Sequence, residues 1–164
     1  MSYSVDKVLS QEQLHRLREY EQKLQYQNID QYYNLFSLQK CNDPGPRWYR
    51  DLLEGYYNRK IHASYFLRYG VGSFTKAHRD DNRVTDRTIV TFIRTDNLLG
   101  GESLIFEPIP GLDKDGQWQK PVVVPEITSG KSLIYDTDMV HSVAKVHRGL
   151  RNVHICWFKT KQTH

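Results

Sequence analysis

Leu14, Leu17 and Leu24 recur at helical spacing with charged and polar residues between them, and Ser10 followed by Gln13 forms a capping-box signature just before them. The pattern predicts an amphipathic helix over about 11–26. Asn42-Asp43-Pro44-Gly45-Pro46 breaks it. Trp48, Leu52, Leu53, Tyr56 and Tyr57 then predict a second helix over about 47–59. From Ile61 the period changes. Residues 61–69 form a β-type run closed by Gly70 and Gly72, and residues 88–94 form another, rich in β-branched side chains. Shorter runs follow at 104–106, 122–124, 132–135 and 153–158, punctuated by Gly, Pro, Asn and Asp. Two helices followed by many short strands predict an α+β chain whose strand portion is a sandwich or barrel. With no internal repeat, low-complexity tract or linker, the expectation is a single domain over 1–164. Residues 1–60 would form a helical N-terminal support and 61–160 the strand core.

Composition changes this picture little. A chain of 164 residues is long enough to bury a core, and 38% hydrophobic with 26% charged residues is ordinary for a soluble domain. No apolar run reaches membrane-spanning length, and the first twenty residues lack the apolar stretch of a secretory signal. The expectation is a soluble intracellular protein, cytoplasmic, with no membrane partner. The formal charge of +4 permits an acidic partner, but the basic residues are spread along the chain, so charge alone does not point to nucleic acid. Cys41 and Cys156 make neither a disulfide framework nor a zinc spacing and are read as reduced thiols.

The candidate chemistry begins with His78-Arg79-Asp80. On an extended segment, residues two apart point to the same side, so an imidazole and a carboxylate here can take adjacent positions on one metal ion. Alone this spacing arises by chance in many chains. His141 follows the run at 132–135 and the turn-like Asp136-Thr137-Asp138, and it opens another strand-like stretch. A histidine arriving from a distant strand completes a two-histidine, one-carboxylate face that leaves the rest of an iron coordination sphere open. Ten residues on, Arg151 shares one face of the last strand with Val153, Ile155 and Trp157. An arginine on an apolar face needs an anionic partner, and a carboxylate can take its two parallel hydrogen bonds. Asp113-Lys114-Asp115-Gly116 resembles a calcium loop, but its glycine comes too early and no glutamate follows at the right distance, so it is read as a turn. His147, in a turn, and His154, on the face opposite Arg151, are not expected to be ligands.

Taken in order, Leu67 to Phe74, His78-Arg79-Asp80, the strand ending at Arg94, Gly100 to Phe106, Ser129 to Tyr135, His141, Gly149-Leu150-Arg151 and Cys156-Trp157-Phe158 resemble the Fe(II)/2-oxoglutarate-dependent oxygenases of the prolyl-hydroxylase type. The resemblance covers about residues 61–160. It implies a double-stranded β-helix, a jelly-roll or cupin-like barrel braced by N-terminal helices. It implies Fe(II) on His78, Asp80 and His141, and 2-oxoglutarate as co-substrate with its far carboxylate on Arg151. It also implies O2, with ascorbate in a supporting role. Tyr69 and Trp157 would line the co-substrate pocket. Arg94 falls where many members have a tyrosine that touches the co-substrate, which makes it a candidate contact.

The implied activity is a dioxygenase that hydroxylates an unactivated C–H bond, most readily of a prolyl residue in a protein or peptide. A free amino acid or other small molecule is the alternative substrate. A nucleobase is a third, for which Arg79, Arg83, Arg87, Lys145 and Arg148 could form a basic mouth; the second, more distal arginine of the nucleic-acid demethylase branch is missing. A non-catalytic binding barrel is the reading from another class, and the complete ligand set speaks against it.

Overall fold

A computed structural model describes residues 3–31, 35–80, 84–109, 119–124 and 128–161. The elements run β1 (Tyr3–Asp6), α1 (Gln11–Gln22), β2 (Gln27–Gln31), β3 (Phe36–Cys41), α2 (Arg47–Tyr57), β4 (Ile61–Tyr69) and β5 (Phe74–His78). They continue with β6 (Thr85–Arg94), β7 (Leu99–Gly100), β8 (Ser103–Pro108), β9 (Gln119–Val123), β10 (Ser132–Asp136), β11 (His141–Val143), β12 (Val146–Arg148) and β13 (Arg151–Lys159).

Helix α1 starts where its cap dictates. The Ser10 hydroxyl accepts the Gln13 N–H at 3.1 Å, and the Gln13 side chain accepts the Ser10 N–H at 2.9 Å. The helix ends at Gln22, earlier than the leucine spacing predicts. Leu24 and Tyr26 still pack against the same core, from the segment leading into β2, so their burial needs no further helical turn. Helix α2 stops at Tyr57 because Asn58 turns left-handed, with φ of 52°.

Among the described residues, eleven strands pair antiparallel in the order β1-β10-β6-β13-β4-β3-β5-β11-β8-β9, with β2 added to β3, and β7 and β12 form a separate pair. The sheet curls into a half-barrel of the double-stranded β-helix type. Alternation along its strands separates two cores. Ile89, Ile93, Cys156 and Phe158 face the helices and meet Leu17, Tyr49 and Leu53. Val90, Phe92, Val153 and Ile155 face the other way and meet Leu133, Tyr135, Ile105 and Val146 inside the curl.

The N-terminal sixty residues differ from expectation. They carry three strands as well as the two helices. Of these, β3 pairs with both β4 and β5 and so joins the two halves of the barrel. Its Phe36 and Leu38 pack on the inner core, which is what anchors a strand in this otherwise polar stretch. The turn expected at 113–116 lies outside the described residues. Among the described residues, no helix is long and apolar enough to cross a membrane.

Candidate metal centre and carboxylate pocket

His78 is the last residue of β5 and His141 the first of β11, and the two are register partners across the antiparallel pair. This brings together side chains far apart in sequence and sets their ring centroids 4.3 Å apart. Asp80 lies two residues beyond His78. Its Oδ1 is 3.3 Å from His78 Nε2 and its Oδ2 is 3.3 Å from His141 Nε2. The three ligand atoms all lie within 4.8 Å of one another.

Each imidazole is held from behind. His78 Nδ1 donates to the Lys76 carbonyl at 2.8 Å, and His141 Nδ1 donates to the Met139 carbonyl at 2.9 Å. A carbonyl oxygen only accepts, so Nδ1 carries a proton and Nε2 is the atom turned to the carboxylate. Three electron-pair donors converging on one point repel unless a cation or protons stand among them. Burial works against charge on His78, but the hydrogen bond to Asp80, the Lys76 carbonyl and the Asp80 charge outweigh it and raise its pKa. For Asp80, burial is likewise overcome by hydrogen bonds from His141 and His78, which hold the carboxyl well below the usual range. The cluster therefore attracts positive charge. Two imidazoles and one carboxylate, each braced through its other side, suit a divalent first-row metal with open positions.

Arg151, the first residue of β13, is 2% exposed and lines the same cavity, of about 470 Å³, as the three ligand candidates. Its register partner is Tyr69. The guanidinium lies over the rings of Tyr69, at 4.7 Å, and Phe92, at 5.2 Å, and donates to the Ser103 hydroxyl at 2.9 Å. Its Nε has no partner, and no carboxylate pairs with it among the described residues. Burial lowers its pKa, opposed by the nearby Tyr69 and Tyr135. A buried guanidinium with only neutral partners is a costly arrangement that an anionic ligand relieves.

The other residues singled out in the sequence divide. Tyr69 and Trp157 line the cavity. The Tyr69 hydroxyl hydrogen bonds Thr75 Oγ1 at 2.9 Å, and the Trp157 ring packs on Tyr65 at 5.0 Å. Arg94 does not line it. Asn152 pairs with Arg94 while Val153 pairs with Phe92, so β6 carries an extra residue at this point. The bulge turns Arg94 to the helix side, where Glu21 and Asp96 lie 3.9 Å and 3.8 Å from its guanidinium. The expectation that Arg94 touches the co-substrate is therefore corrected. His154 is buried on the helix side, and His147 is exposed on β12 rather than in a turn. Of the basic residues considered for a mouth, Arg83 lies outside the described residues and Arg87 pairs with Asp136. Arg79, Lys145 and Arg148 are exposed and do not line the cavity.

Sequence reading missed Tyr135. It is 3% exposed, lines the cavity, and its ring lies 4.9 Å from that of His141. Alternation in Ser132-Leu133-Ile134-Tyr135 was the available signal, since Leu133 faces inward and Tyr135 shares its side. Nothing in the sequence marks Ser103 as the partner of Arg151.

No protein-family model matches the chain, and no curated protein matches it. Solved structures do. One is a 2OG-Fe(II) oxygenase family oxidoreductase from Burkholderia pseudomallei, with a TM-score of 0.72 and 12% identity over 96% of this chain and 85% of that one. A prolyl-4-hydroxylase from Pseudomonas putida gives 0.68 and 16%, covering 98% and 94%. A prolyl hydroxylase from Trichoplax adhaerens, solved with a peptide fragment of the hypoxia inducible factor oxygen degradation domain, gives 0.68 and 11%, covering 96% and 83%. At these identities the likeness establishes a shared fold, which is the double-stranded β-helix that these oxygenases use.

Proposed function

We propose that this chain is an Fe(II)- and 2-oxoglutarate-dependent oxygenase that hydroxylates an unactivated C–H bond, with a prolyl residue in a protein or peptide as its substrate. One observation carries the reading: three converging metal donors and a buried, unneutralised arginine share a single cavity. Three-residue metal clusters and buried arginines each occur for other reasons. Together, in this fold, they suit a metal and a dicarboxylate side by side. The prolyl assignment rests on the likeness to two prolyl hydroxylases, one of them solved with a peptide.

In this reading residues 1–164 act as one oxygenase domain. His78, Asp80 and His141 would hold the iron, and Arg151, steadied by Ser103 and the rings of Tyr69 and Phe92, would hold the far carboxylate of 2-oxoglutarate. When bound, iron and co-substrate supply the oxidation of a C–H bond by O2 with release of succinate and CO2, and ascorbate would keep the metal reduced. The chain supplies position and exclusion of water. The Nδ1–H bonds to Lys76 and Met139 fix both ring orientations before any metal arrives. Leu133, Val153, Ile155 and Ile105 give the cavity apolar walls. Trp157 and Tyr65 form part of its wall.

The test is succinate formation from 2-oxoglutarate with Fe(II) and O2, adding in turn proline-rich peptides, free amino acids and single-stranded oligonucleotides. Succinate is expected to rise with the peptides and to vanish in His141→Ala. A non-catalytic barrel would be indifferent to that substitution. Protein that cannot bind Fe(II) and 2-oxoglutarate together without oxygen would sink the reading.

A further inference from the structure

Lys40 is a cation of this cavity that the proposed chemistry leaves unused. It sits half-buried on β3 and lines the wall beside Tyr65 of β4, with its Nζ 3.9 Å from the centre of the Tyr65 ring. Trp157 of β13 packs on the same ring. Gln27, the register partner of Lys40, and Asn42 also line the cavity and bring amides, which offer acceptors but no neutralising charge. Among the described residues Lys40 has no acidic partner and the Tyr65 hydroxyl makes no hydrogen bond. The buried indole N–H of Trp157 also lacks an acceptor. An aromatic face attracts an ammonium but does not neutralise it. The corner also adjoins the metal end: Tyr65 has a raised pKa, from burial first and then from the nearby Asp80 charge.

The charges of the loaded cavity point the same way. Apart from the two imidazoles, its charged side chains among the described residues are Lys40, Asp80 and Arg151. Asp80 offsets Arg151, and a divalent ion offsets a dicarboxylate. Lys40 is left over, and in a partly dehydrated cavity a leftover charge selects for its opposite.

We infer that Lys40, Tyr65 and Trp157 form the substrate end of the cavity and that Lys40 pairs with a carboxylate of the substrate, whose apolar body lies against the two rings. This rests on the oxygenase reading and deepens it. The carboxylate has two sources, the acidic side chain of a peptide or the α-carboxylate of a free amino acid, and both present the same chemistry to Lys40.

The experiment is calorimetric titration without oxygen of protein first loaded with Fe(II) and 2-oxoglutarate. The probes are L-proline against L-prolinamide, and a proline peptide with aspartate beside the proline against the same peptide with asparagine. In the wild type, one carboxylate probe is expected to bind roughly ten-fold tighter than its amide, and the pair that does so names the source. Lys40→Met, which keeps the aliphatic stem, should erase that preference and leave 2-oxoglutarate affinity, amide affinity and thermal midpoint unchanged. Lys40→Arg should retain the preference. Carboxylates that bind no better than amides, or a preference that survives Lys40→Met, overturn the inference. So does a loss of 2-oxoglutarate binding in Lys40→Met, which would give Lys40 to the co-substrate instead. Wild-type protein that fails the initial loading brings down the oxygenase reading itself, a result visible before any probe is added.

Discussion

Arg151 bears a charge that none of its neighbours among the described residues neutralises. Ser103 and two aromatic faces are modest compensation for a guanidinium removed from water. The consequence is a trade between stability and binding. In Arg151→Met, 2-oxoglutarate affinity should fall about 100-fold, or about 3 kcal/mol, as expected when one partner of a buried charged pair is lost. The unliganded protein should meanwhile gain about 1 kcal/mol or more, because a well-packed apolar side chain replaces an uncompensated charge. Calorimetry of the ligand and the denaturant midpoint of the free protein measure the two effects. A variant with unchanged affinity would remove Arg151 from the co-substrate site.

At the scale of elements, the joint between α2, the loop before it and β13 is made by His154. Its Nε2 donates to the Pro44 carbonyl at 3.0 Å, so its Nδ1 accepts the Tyr49 hydroxyl at 3.2 Å. Burial lowers its pKa from 6.5 to about 4, against the Pro44 hydrogen bond that favours the charged form. Between those values the unfolded chain binds the proton and the folded chain does not. Stability from this group is therefore complete above pH 6.5 and drains away as pH falls towards 4, by up to about 3 kcal/mol. Urea midpoints across that window should show the slope in the wild type and a flatter one in His154→Asn.

Legibility of the sequence also varied by element. The cap of α1, the long strands β4 and β13, and the shared face of Arg151, Val153, Ile155 and Trp157 could be read because one local pattern dominates each. Strand β3 could not, since Phe36-Ser37-Leu38-Gln39-Lys40-Cys41 alternates only weakly and gains its place by pairing with β4 and β5. Arg94 was misplaced because a bulge in β6 leaves no mark in composition. The meeting of His78 with His141 depends on strand register, which spacing alone does not encode.

Across the whole molecule, one sheet separates two tasks. The helices bury its outer face through Leu17, Leu53 and Tyr49, and the cavity occupies its inner face. Leu17→Ala, at a fully buried position, should cost about 2–5 kcal/mol of stability, read as a shift in denaturant midpoint. It should leave the dissociation constant for 2-oxoglutarate within about two-fold of wild type, because a site more than a sheet's thickness away is energetically independent. A large change in that constant would show that the two faces are coupled.

That separation has a bearing on how far a sequence can drift. Side chains on the inner face answer to whatever is bound there, while those on the outer face answer only to the helices. The two sets can diverge at their own pace without disturbing the path of the backbone between them. A chain only 12% identical to another protein can therefore share its fold over 96% of its own length.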